Sequence, residues 1–119
     1  MDKVKFEKLY SGVGWVASVD DKYILLSYFL LTFQGTSDLP ELIEMFELVA
    51  KGEKKFDEVW YPDVYLTFAE NAGYIEIDRE TAYFTSEQPE IQPGFDMPLK
   101  ELLDIMKQWR DFLNGGAVV

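Results

Sequence analysis

The chain reads as an α+β domain: a largely antiparallel sheet of about five to six strands with two main helices packed on one face. Three observations predict it. Residues 64–84 alternate apolar and polar side chains, the period of a half-buried sheet. Residues 39–50 and 99–113 instead space their apolar residues by three and four, which gathers them along one side of a helix. Finally, 119 residues at 48% hydrophobic content can bury one core but not two, so residues 1–119 form a single domain.

Taken in order, residues 2–10 alternate loosely around Val4 and Phe6 and suggest a first strand. The apolar piece 13–19 suggests a second, ending at the turn signal Asp20-Asp21-Lys22. Residues 23–33, YILLSYFLLTF, are far fewer than the roughly 20 a membrane helix needs. They belong to the core, and their aromatic and β-branched content favours a third strand, although periodicity alone allows a buried helix. Ser37 or Asp38 then caps a helix with Pro40 in its first turn, where no amide hydrogen is required. Leu39, Leu42, Ile43, Phe46 and Ala50 form its apolar side, Glu41, Glu44 and Glu47 its solvated side, and Gly52 its end.

After a charged connection at 51–58, Val64, Leu66 and Phe68 alternate with Tyr65 and Thr67. The hairpin GYIEIDRETAYF follows at 73–84. Ile75, Ile77, Ala82 and Phe84 share one face; Tyr74, Glu76, Asp78, Thr81 and Tyr83 share the other. Arg79-Glu80 is not a favoured two-residue turn, so a longer loop is open to the tip. Residues 87–98 contain Pro89, Pro93, Gly94 and Pro98 and read as an irregular loop. The last helix begins near Asp96 or Met97 and buries Leu99, Leu102, Leu103, Met106, Trp109 and Leu113. It stops at Asn114-Gly115-Gly116.

Charge narrows the function. The chain holds 22 acids and 11 bases, a net charge of −11 and a pI near 4.3. Such a field repels phosphate backbones and anionic lipid, so nucleic acid and membrane are poor ligands and a cationic protein is the expected partner. Cysteine and histidine are absent, which removes thiolate and imidazole metal sites, cysteine nucleophiles and the usual neutral-pH base. No Gly-rich phosphate loop, GxSxG or HExxH occurs. The expectation is a protein that is not an enzyme and takes no cofactor or metal. MDKVKFEKLY carries charges where a signal peptide needs an apolar stretch, so the default address is cytoplasmic.

The imbalance is concentrated. Between residues 56 and 99 there are ten acids and one base, Arg79. Trp60, Tyr61, Tyr65, Tyr74 and Tyr83 are interleaved with them, and such rings bury well at interfaces while keeping a polar handle. Acidic proteins expose carboxylates in any case, and strand tyrosines commonly point to water. The clustering nevertheless selects Asp63, Tyr65, Tyr74, Glu76, Asp78, Glu80 and Tyr83 as a candidate partner-binding surface. Glu76 and Asp78, two apart on one strand face, also suggest a hydrolytic carboxylate pair, which would require a cleft with one acid desolvated.

The succession YLTF, GYIEIDRETAYF, a Pro-rich loop and MPLKELLDIMKQWRDFL resembles the small cytoplasmic immunity proteins of bacterial contact-dependent growth inhibition and polymorphic toxin systems. The resemblance implies a protein that binds a cognate toxin, often a basic nuclease, and occludes its active site. It would be a monomer when free or a heterodimer with the toxin. It supplies no fixed binding motif, so the surface above rests on charge and aromatic content alone. The alternatives are an acidic secretion chaperone that dimerises through residues 23–33 and the carboxylate hydrolase.

Overall fold

The computed structural model describes residues 3–8, 14–33, 38–59, 66–68 and 72–114. The first two strands form a hairpin of their own: β1 (Val4–Lys8) pairs antiparallel with β2 (Gly14–Ser18), from Val4 opposite Ser18 to Lys8 opposite Gly14. Val4 and Val16 are buried, while Lys5, Glu7 and Trp15 face out. The inward Phe6 ring lies 5.2 Å from that of Trp109. A side-chain carbon on Gly14 would stand 2.9 Å from Trp109 Cη2 and 3.0 Å from Leu113 Cδ2. Only glycine lets the hairpin approach so closely.

The segment expected as a third strand is a helix. Asp20 Oδ1 accepts the Lys22 N–H at 3.0 Å and starts a 3-10 turn, Asp21–Tyr23, which runs into α1 (Ile24–Thr32). The reason is visible in the residues: leucine stands at 25, 26, 30 and 31, and the β-branched Ile24 and Thr32 sit only at the ends, where they crowd no preceding turn. Apolar all round, α1 is stable only when enclosed, and Leu25, Leu26, Phe29 and Leu30 are fully buried. Phe29 is the hub of the core, with ring centroids at 5.2 Å to Phe33, 5.7 Å to Phe68, 5.8 Å to Phe84 and 6.2 Å to Phe46. The dimerising strand that the chaperone reading assigned to residues 23–33 is therefore an internal helix.

Next comes α2 (Asp38–Ala50); its start adjoins residues 34–37, so the proposed Ser37 cap lies outside the described residues. Its end is as expected. Gly52, at φ 74°, donates to the Val49 carbonyl, and Glu53 donates to that of Leu48, both at 3.0 Å. This is the glycine-dependent way of closing a helix. A single turn, α3 (Phe56–Val59), follows.

The second sheet contains β3 (Leu66–Phe68), β4 (Gly73–Ile77), β5 (Thr81–Ser86) and β6 (Phe95–Pro98), all antiparallel and in sequence order. β6 corrects the expectation of an irregular loop over 87–98. Phe95 and Met97 alternate with Asp96, and Phe95 stacks 4.7 Å from its cross-strand partner Phe84. Pro98, which lacks an N–H, is accommodated because β6 is an edge strand. The last helix, α4 (Leu99–Leu113), thus begins at Leu99 rather than at Asp96 or Met97. It buries Leu99, Leu102, Leu103, Ile105, Met106 and Trp109, with Leu113 partly buried. Deep in the core, Trp109 Nε1 donates to the Leu30 carbonyl at 2.9 Å. Lys107 pairs with Glu47 of α2 at 3.0 Å.

The fold is therefore α+β and antiparallel, as expected. Among the described residues, the single sheet with two helices is corrected to a two-stranded hairpin and a four-stranded sheet packed with three long helices. Among the described residues, no helix is long and apolar enough to cross a membrane.

Candidate protein-binding surface

Strand alternation decides which side chains the sheet offers. In β4 and β5, Ile75, Ile77, Ala82 and Phe84 are buried against the helices. The opposite face carries Tyr74, Glu76, Tyr83 and Asp96, of which Glu76, Tyr83 and Asp96 are exposed and Tyr74 is half-buried. The facing pattern expected for the 73–84 hairpin is the observed one.

Register assembles this face into rows. Glu76 stands opposite Tyr83, which stands opposite Asp96 on the other side, so Tyr83, 37% exposed, lies between two carboxylates. Directly opposed side chains have Cβ atoms about 4.5–5.5 Å apart. A neighbouring row pairs Tyr74 with Thr85. Asp96 was absent from the candidates because Pro98 made its segment look irregular; the period-two order Phe95-Asp96-Met97 was the signal that could have found it.

Asp78 does different work from the others. Its Oδ1 accepts the N–H groups of Glu80 at 2.9 Å and Thr81 at 2.8 Å, and its Oδ2 accepts the Tyr83 hydroxyl at 2.7 Å. With the Asp78 N–H donating to the Thr81 carbonyl at 3.0 Å, the carboxylate closes the hairpin tip in place of turn residues that tolerate positive φ. The Tyr83 hydroxyl, then the Glu80 N–H, hold the Asp78 carboxyl below the usual carboxylate value. In return, chiefly through the bond to Asp78, the Tyr83 phenol is held above its usual value. Glu80 is exposed in the same tip, and its carbonyl accepts the Leu99 N–H at 2.9 Å, tying the tip to the start of α4.

The structure thus gathers Tyr74, Glu76, Asp78, Glu80 and Tyr83 on the outer face and its tip. Asp63 and Tyr65, also proposed for the surface, lie outside the described residues, as do Trp60 and Tyr61. Among the described residues, no group of three or more acids could hold a metal ion. Chemically, the surface can present hydrogen-bond acceptors and ring faces to a cationic partner.

Fold and surface together define a small α+β domain with one open, acidic, tyrosine-bearing sheet face. No protein-family model, curated protein or solved structure was found to match the chain.

Proposed function

We propose that the chain is a binding protein that docks a cationic protein on the outer face of its four-stranded sheet, and that it acts as an immunity protein against a toxin. The supporting observation is the row Glu76, Tyr83, Asp96, exposed on the face turned away from the core. Carboxylates on both sides of a ring suit an arginine or lysine, which can lie over the ring while donating to an acid. A nuclease needs a cationic groove for phosphates, so a net charge of −11 would steer the inhibitor to that groove. Asp78 favours this reading over hydrolysis: both of its oxygens are engaged in the hairpin tip, which leaves neither placed to attack or protonate a substrate.

The test is to search immediately upstream of the gene for an open reading frame that encodes the C-terminal end of a large secreted protein, and to co-express that C-terminal domain with this chain in bacterial cells. The expected result is protected growth, with association that slows about tenfold at low salt in the double variant Glu76→Lys/Asp96→Lys and less at high salt. Absence of protection would overturn the immunity role. Protection and salt dependence unchanged by the reversals would overturn the surface.

A further inference from the structure

The turn that closes α2 and the tip of the β4–β5 hairpin meet at a groove of about 460 Å³. Its floor is apolar, with Val49, Phe56 and Ile77. Its rim carries Lys54, Lys55 and Arg79. The arginine is placed by contact: its Cζ and Nε lie 3.2 Å from where a side-chain carbon would stand on Gly52. The same glycine that ends α2 therefore seats the guanidinium.

Glu53, Glu58 and Asp78 also line the groove, so formal charges balance. Their hydrogen bonds differ. Asp78 uses both oxygens in the hairpin tip, and Glu58 Oε1 accepts the Lys55 N–H at 2.8 Å. Lys54, Lys55 and Arg79 make no ion pair among the described residues. A hydrogen-bonded carboxylate keeps its charge, so the lining is neutral overall; what distinguishes the three cations is that their side-chain donors have no acid partner among the described residues.

We propose that this groove binds a small organic anion, a carboxylate carried on an apolar body. The body would lie on Val49, Phe56 and Ile77, and the carboxylate would meet the Arg79 guanidinium, whose planar fork matches two oxygens, with the lysines adding charge. The volume falls within the small-molecule range of about 300–1,000 Å³. An inorganic anion would leave the floor unused. The inference does not depend on the sheet-face reading.

The probe is 3-phenylpropionate, with neutral 3-phenylpropanamide as control, titrated into the isotope-labelled full chain and followed by amide chemical shifts. Saturable shifts should centre on residues 52–56 and 77–80, with the acid bound about tenfold more tightly than the amide, as three solvated charge contacts allow. Arg79→Gln and, separately, Lys54→Gln/Lys55→Gln should each weaken the acid by about threefold and leave the amide unchanged. Both sites are exposed, and each variant's spectrum reports its own folding. The proposal is overturned by shifts that do not saturate or centre elsewhere, by equal affinities for acid and amide, or by variants that weaken neither ligand or both alike.

Discussion

Replacing Asp78 with alanine removes one carboxylate and three hydrogen bonds at once. Two of them come from backbone N–H groups of Glu80 and Thr81, an arrangement like a helix cap, whose loss costs about 1 kcal/mol. The third comes from the Tyr83 hydroxyl, and because the tip is exposed, water replaces much of what is lost. The expected destabilisation at neutral pH is about 1–1.5 kcal/mol, or roughly 5 °C in Tm for a chain of this size. Urea unfolding at constant slope would measure it.

The pH dependence makes the reasoning refutable. Folding lowers the Asp78 pKa, so its contribution is complete above the unfolded value, about pH 4, and is lost as pH falls through the lower folded value. Tyr83 runs the other way: folding raises its pKa, so its contribution is complete below about pH 10 and is lost as pH rises through the folded value. The gap between wild type and Asp78→Ala should therefore narrow in acid as the wild-type carboxyl becomes protonated. Tyr83→Phe should show a smaller gap at pH 7. An Asp78→Ala gap below about 0.3 kcal/mol at neutral pH, or one that persists undiminished well below the folded pKa, would refute the assignment of Asp78 to the turn.

Other perturbations test the core and its closures. Trp109→Phe strands the Leu30 carbonyl and removes ring volume, and should cost about 2–4 kcal/mol in denaturant unfolding. Gly14→Ala forces a carbon to 2.9 Å from Trp109 Cη2; a loss of about 1–3 kcal/mol is expected, with altered Trp near-ultraviolet dichroism. Gly52→Ala places a side chain at φ 74° and against Arg79, and should lower Tm by several degrees, about 1 kcal/mol.

What was legible in the sequence is what local chemistry alone decides. The faces of the 73–84 hairpin follow from alternation, the end of α2 from Gly52, and the buried stripe of α4 from its three-and-four spacing. Residues 23–33 give no such signal, because a segment enclosed on all sides has no polar period to reveal its shape, and their aromatics favour a strand while their four leucines favour a helix. β6 was hidden by Pro98, whose tolerance depends on an edge position that exists only once the strand order is set. Asp78 was counted as an interface acid, whereas its spacing to Thr81 is also that of a side chain closing its own turn.

The Glu76–Tyr83–Asp96 row admits a second role, protection of a bare sheet face from stacking on other sheets, and the two roles have separable consequences. Neighbouring strands lie about 4.8 Å apart, so acids two strands apart are separated by about 10 Å, near the screening length at 0.1 M salt. Their mutual repulsion is therefore small, and the fold holds both charges at little cost. A cation over Tyr83 would sit between them and feel each at roughly half that distance, where attraction exceeds the repulsion they exert on one another. Neutralising both acids with Glu76→Gln/Asp96→Asn should accordingly leave folding stability within about 0.5 kcal/mol of wild type. Association with the proposed cationic partner should become slower and less salt-dependent. A variant that loses solubility but binds with an unchanged rate at every salt concentration would assign the row to protection alone.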